Sequence, residues 1–208
     1  MAKLYFRYGT VGSAKTLNLL AVAHNYTQQG KKVRLIKPEL DTRWGREKIV
    51  SRAGLEKTAD LLAHPDTVLD PAFFKDVDCV LVDEVQFLSA ALIDQLRELT
   101  YTQGVPVICY GLRSDFRTEL FEGANRLMAV ADSIEEIKTT CAFCNRKAIF
   151  NLKLVDGAPS VAGPSIELGA EEKFLPACYH CYTKRVEEGT KAMKEVSNGS
   201  QATHSCSP

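Results

Sequence analysis

Two stretches of this chain place reactive side chains where a bound polyphosphate would need them. The first is Tyr8-Gly9-Thr10-Val11-Gly12-Ser13-Ala14-Lys15-Thr16. A loop of small residues running into Lys-Thr can surround an anion with backbone N–H groups and the positive end of a helix. Lys15 would reach the terminal phosphates, and the Thr16 hydroxyl would ligate Mg²⁺. The full pattern has Gly where this chain has Ala14, so the methyl group fits only if residue 14 keeps a negative φ with its Cβ turned away. The competing reading is an ordinary strand–turn–helix. The second stretch is Cys79-Val80-Leu81-Val82-Asp83-Glu84. Four apolar residues running into two carboxylates read as a buried parallel strand ending at an acidic pair. Beside a phosphate loop, Asp83 would hold Mg²⁺, and Glu84, near the metal yet free of it, would be available as a general base. Without that loop the pair would read as two exposed acids capping a strand.

A third cluster follows the second strand. Glu39-Leu40-Asp41-Thr42-Arg43-Trp44-Gly45-Arg46 is too polar for core, and its carboxylate and arginine two residues apart suit a metal–phosphate site. The fourth is of another kind. Cys141-Ala142-Phe143-Cys144 and Cys178-Tyr179-His180-Cys181 are two C-x-x-C knuckles with 33 residues between them. Paired knuckles predict a closed tetrahedral Zn²⁺ site with no open position for catalysis. His180 is a possible substitute ligand, but Cys181 has the better spacing.

The elements that must position these groups alternate. Leu4-Tyr5-Phe6 reads as a first strand, and Leu17, Leu20, Ala21 and His24 give helical spacing after the loop. Lys32 to Lys37 reads as a second strand closed by Pro38. Residues 53–76 read as two short helices around a weak strand near Thr67-Val68-Leu69. A helix is expected over Ser89 to Gln103, with Ser89 as N-cap, Leu92, Leu96 and Leu99 as its buried stripe, and Gly104 as its stop. Val105 to Tyr110 and Leu127 to Ala131 read as further strands. Strands alternating with helices predict an α/β fold, a parallel sheet with helices on both faces and its ligands at the carboxyl ends of the strands. Every loop singled out lies at such an end. Between the knuckles, a strand over Lys147 to Leu154, a turn at Val155 to Pro159 and a returning loop over Ser160 to Gly169 are expected. The division is a nucleotide-binding α/β domain over 1–138, a zinc-binding lasso domain over 139–189 and a disordered polar tail over 190–208.

Composition narrows the setting. Of 208 residues, 45% are hydrophobic and 25% charged, the balance of a globular protein. The 26 basic and 26 acidic residues cancel, which argues against nucleic acid or an anionic membrane as partner. No apolar run is long enough to span a membrane and Met1-Ala2-Lys3-Leu4 has no signal-peptide core, so a cytoplasmic enzyme is expected.

As a set, in order and spacing, the phosphate loop, Asp41-Thr42-Arg43, Leu81-Val82-Asp83-Glu84-Val85-Gln86-Phe87, Tyr110-Gly111-Leu112-Arg113-Ser114-Asp115-Phe116-Arg117 and the four cysteines resemble the type II thymidine kinases. These are P-loop enzymes with a zinc-clipped lasso domain, and the resemblance spans roughly residues 3–185. It implies transfer of the ATP γ-phosphate to the 5′-hydroxyl of thymidine. Gly9, Gly12, Ser13, Ala14, Lys15, Thr16, Asp41, Arg43, Asp83 and Gln86 would then serve ATP and Mg²⁺, and Glu84 would be the base. Val11, Phe87, Leu112, Phe116, Phe121 and Phe174 would line the thymine pocket. Ser165, Ile166, Glu167, Leu168 and Gly169 would offer backbone groups to the base. A homotetramer and feedback inhibition by thymidine triphosphate are implied in the same way. The chain departs from the family at Ala14 for Gly, Val11 for Met, Ala170 for Gly and Phe174 for Tyr. Those departures motivate the alternative of a nucleotide-binding regulator without catalysis. A zinc-ribbon nucleic-acid binder rests on the knuckles alone.

Overall fold

The computed structural model describes residues 1–165 and 174–201. Its frame is a six-stranded parallel sheet in the order β5-β2-β6-β7-β1-β8. The strands are β1 (Leu4–Tyr8), β2 (Val33–Pro38), β5 (Leu61–Ala63), β6 (Cys79–Val82), β7 (Val107–Gly111) and β8 (Ser133–Glu136). The two-residue period of a strand divides β6 and β7 between two cores. Val80, Val82, Val107 and Cys109 face the helices α2 (Ala90–Thr102) and α3 (Glu122–Val130), packing with Leu92, Leu96 and Leu127. Cys79, Leu81, Ile108 and Tyr110 face α1 (Lys15–Gln28) on the other side. Helices thus cover both faces, as the alternation predicts.

Several local expectations need correction. Leu127 to Ala131 is not a strand but the end of α3; the edge strand is β8, a few residues later. Leu127 and Ala124 are both buried, a three-residue spacing that belongs to a helix face. Residues 53–76 hold no α-helix. They form β4 (Glu56–Thr58), which pairs antiparallel with β3 (Lys48–Val50), then β5, then one 3₁₀ turn at Pro71–Phe74 capped by the Asp70 side chain. No strand forms at Thr67-Val68-Leu69, and Val68 lies open to solvent. Pairing partners, absent from local sequence, decide such short segments. In α1 the buried face is Leu19, Leu20 and Ala23, so the stripe is rotated from Leu17, Ala21 and His24. The Ser89 cap is as expected, its hydroxyl accepting from the Leu92 N–H at 3.3 Å.

The remainder is a small module. β9 (Phe150–Val155), which starts three residues later than expected, pairs antiparallel with β10 (Ala158–Pro159) and β11 (Phe174–Ala177). The β9–β10 turn is made by Asp156 and Gly157 at φ 50° and 79°, the left-handed pair of a tight hairpin. Helix α4 spans Tyr179–Gln201, so residues 190–201, expected from their polarity to be disordered, are helical; nothing in them breaks a helix as Pro would. Among the described residues, no helix is long and apolar enough to cross a membrane.

Candidate active site

The phosphate loop leaves β1 and turns back at Gly12, whose φ is 72°. Gly9 is a close-packed point, where a Cβ would lie 2.4 Å from Ser13 Oγ and 2.5 Å from the Ile137 carbonyl oxygen. Ala14 contradicts the expectation placed on it. Its φ is 61°, in the left-handed region, and it stands exposed as the residue before α1. Ala14 is among the cavity-lining residues, and holding its backbone left-handed costs roughly 1–2 kcal/mol relative to Gly. Lys15 is buried, its Nζ donating to the Thr10 carbonyl at 2.7 Å and to Ser13 Oγ at 3.4 Å. Burial pulls its pKa down to about 8, against the opposing pull of the Glu84 and Asp83 charges.

β6 delivers the acidic pair to the same place. Thr16 Oγ1 donates to Asp83 Oδ2 at 3.1 Å, so the two expected Mg²⁺ ligands touch. The backbone turns sharply at Glu84, whose φ of 47° sends its side chain a different way from that of Asp83. Glu84 Oε1 accepts from Arg43 Nη2 at 2.5 Å and Oε2 accepts from Gln86 Nε2 at 2.6 Å. Arg43 also grips Asp41, its Nε donating to Oδ1 at 2.6 Å, while the fully buried Lys37 lies 3.4 Å from Asp41 Oδ2. Burial would raise the pKa of Glu84, but the charges of Arg43 and Lys15 and the hydrogen bonds outweigh it and hold the carboxyl below its ordinary value. Asp83 moves the other way, raised by burial and by the neighbouring Glu84 charge. Gln86 Oε1 in turn accepts from the Leu112 N–H at 2.9 Å, which ties the acidic pair to the loop after β7.

A cavity of about 400 Å³ runs from the phosphate loop past these carboxylates to an aromatic end. Val11, Phe87, Leu112, Phe116, Phe121, Ser165 and Phe174 all line it, which brings the described members of the expected base pocket together. Phe87 meets Phe121 edge-on with centroids 5.9 Å apart, and Phe116 lies 6.0 Å from Phe174. Gly9 supports the loop from behind rather than lining the cavity. Ile166, Glu167, Leu168, Gly169 and Ala170 lie outside the described residues.

Some cavity residues were not among the expected site residues. Trp44 and residues 49–53 of the β3–β4 hairpin form one wall, anchored by Ile49 in the α1-side core. Asp115 is buried, accepting from Ser165 Oγ at 3.0 Å and from the Arg117 backbone N–H at 2.8 Å. Asn151 enters from β9. Its one clue was a polar residue inside an apolar strand, which needs partners when buried.

At the far side of the module, Sγ atoms of Cys141, Cys144, Cys178 and Cys181 all lie within 4.8 Å of one another. Cys144 stands 3.7 Å from Cys178 and from Cys181. Tetrahedral Zn–S bonds of ~2.3 Å require sulfur separations of ~3.8 Å, so the set fits a structural zinc ion. His180 is exposed and outside the cluster.

Known proteins share this arrangement of sequence. Residues 2–182 match the family model described as thymidine kinase. The thymidine kinase of Lactiplantibacillus plantarum is 41% identical over 184 residues, covering 88% of this chain and 96% of that protein. That of Lactococcus lactis is 41% identical over 186 residues, covering 88% and 98%. That of Enterococcus faecalis is 41% identical over 194 residues, covering 90% and 99%. A match that runs from the phosphate loop through Cys181 of the second knuckle, with the acidic pair and the aromatic pocket facing one cavity, means that the chain belongs to the thymidine kinase family.

Proposed function

We infer that the protein is a thymidine kinase, transferring the γ-phosphate of ATP to the 5′-hydroxyl of thymidine. The observation that carries this reading is the single cavity in which the Thr16–Asp83 contact and Glu84 lie between a phosphate loop and an aromatic pocket. A phosphoryl donor at one end and a nucleoside at the other would meet at Glu84.

Lys15 and the loop amides would hold the β- and γ-phosphates, and Lys15 already spends its charge on a carbonyl that a phosphate oxygen would replace. Thr10 Oγ1 is buried without a hydrogen-bond partner among the described residues, a donor left over for an anion. Thr16 and Asp83 would hold Mg²⁺, which when bound neutralises charge on the phosphate oxygens. Glu84 would accept the proton of the 5′-hydroxyl as that oxygen bonds to the γ-phosphorus and the bond to ADP breaks. The Arg43 guanidinium engages Glu84 and weakens it as a base. A γ-phosphate beside Arg43 would compete for the guanidinium and restore basicity when substrate is present. Asp41 would keep Arg43 in place during that exchange. Phe87, Leu112, Phe116, Phe121, Val11 and Phe174 would enclose the base. The cysteine cluster would bind Zn²⁺ for structure alone. On the same reading, the enzyme is a cytoplasmic homotetramer that thymidine triphosphate inhibits by taking the nucleoside pocket with its phosphates toward the loop.

The test is phosphoryl transfer from Mg·ATP to thymidine by the zinc-loaded protein. Thymidine monophosphate should form, and Glu84→Gln should lower kcat by ~10²–10⁴-fold, the range of a lost general base. Absence of product from the parent would refute the assignment.

A further inference from the structure

We propose that Asn151 is a positioning residue that ties the cysteine-clustered module to the phosphate loop and fixes the distance between the two ends of the cavity. It sits on β9 but bonds only outward. Its Oδ1 accepts from the Val11 N–H at 2.9 Å, and its Nδ2 donates to the Ser114 carbonyl at 3.2 Å. Both partners belong to the α/β region, one in the phosphate loop and the other beside Asp115 and Phe116 at the aromatic end. With its side chain buried and both ends of the amide engaged, Asn151 has one orientation. The Val11 N–H is buried with it, so no solvent stands ready to replace the acceptor.

The module sets where Asn151 stands. Its Cα pairs with Pro176 of β11, and β11 leads directly into Cys178, while β9 follows Cys144 in the chain. A second strap runs the same way, since Tyr182, next to Cys181, donates its hydroxyl to the Phe116 carbonyl at 2.5 Å. Order in the cysteine cluster therefore reaches the phosphate loop through one amide.

This rests on the phosphate loop binding ATP, and binding of a non-hydrolysable ATP analogue with Mg²⁺ separates the two ideas. Calorimetry is done on the full-length, zinc-loaded parent, on Asn151→Ala and on Asn151→Asp, with zinc content and melting recorded for each. The parent should bind; if it does not, the phosphate-loop reading itself fails. Asn151→Ala should bind the analogue at least ~5-fold more weakly while keeping its zinc, the scale of a lost buried hydrogen bond. Asn151→Asp keeps an oxygen for the Val11 N–H, loses the donation to Ser114 and sets a carboxylate oxygen against that carbonyl, so it should keep more of the analogue's affinity than Asn151→Ala does and show a raised KM for thymidine. A residue of merely structural importance would lower the melting point of both variants without this split. The proposal is overturned if Asn151→Ala binds like the parent, or if Asn151→Asp is as weak as Asn151→Ala. Should Asn151→Ala fail to fold, Asn151→Asp decides against the parent: analogue affinity within ~5-fold of the parent with a raised KM for thymidine supports the proposal, and weaker binding overturns it.

Discussion

The sheet domain buries a continuous apolar cluster on each face, whereas among the described residues beyond 140 the hydrophobic cluster is small: Leu152, Ala177 and Tyr182, with Phe143, Phe150, Leu154 and Val186 packed around them. The first can hold its shape by burial alone. The second is below the size at which a core suffices, and on the proposed reading Zn²⁺ bound at its cysteine cluster would take over that role. The division has a functional counterpart. Lys15 and Thr16 open helix α1 and Asp83 follows strand β6, all in the sheet domain, while Asn151 and Phe174 come from the module. On the proposed reading, phosphate chemistry would sit on the sheet domain and part of the nucleoside pocket on the module that carries the cysteine cluster.

The largest expected effect is loss of the metal. Stripping zinc with a chelator, or making Cys144→Ser, should abolish thymidine phosphorylation while the sheet retains its far-ultraviolet circular dichroism. A protein that stays fully active without zinc would erase the contrast between the regions. Next come two equivalent truncations. Leu96→Ala, in the α2 core, should cost ~2–5 kcal/mol in global unfolding, the usual range for a buried leucine. Leu152→Ala should barely move that transition in zinc-loaded protein and instead speed zinc release to a chelator. Equal effects of the two on denaturant unfolding would mean that the regions fold as one unit.

A pH profile examines the phosphate side alone. Lys15 must be protonated to hold phosphate, and its pKa is brought down to about 8 by burial. kcat/KM for ATP, which reports the free enzyme, should therefore fall as pH rises through about 8. Lys15→Arg, which cannot lose its proton there, should flatten that limb; a limb that persists would assign it to another group. The smallest effect is at Ala14. With φ at 61°, Ala14→Gly removes backbone strain. It should stabilise the protein by ~1 kcal/mol, a rise of ~2–4 °C in Tm for a chain of this size. A fall in Tm would show that the left-handed conformation is not strained here.

Which short stretches the fold brings to one cavity or one cluster was legible without it. The phosphate loop, Asp83-Glu84 and the paired knuckles are each local, because a loop, a strand end or a metal clip needs its residues close in sequence. The same holds for α2, whose cap and stripe are local. Reading failed where partners decide: Leu127 to Ala131 as strand, residues 53–76 as helices, the tail past Thr190, and the sign of φ at Ala14.

By itself, then, the sequence determined which groups are available: a lysine and threonine at a helix start, two carboxylates at a strand end, four thiols in pairs. Only the tertiary structure decided how they are divided. A left-handed turn at Glu84 sends it to Arg43 and Gln86 while Asp83 goes to Thr16, a separation that adjacent residues in a list do not reveal. Asn151 acquires its role from backbone groups 140 and 37 positions away. Such contacts depend on strand register and module docking, which arise from burial summed over the whole chain and have no local signature.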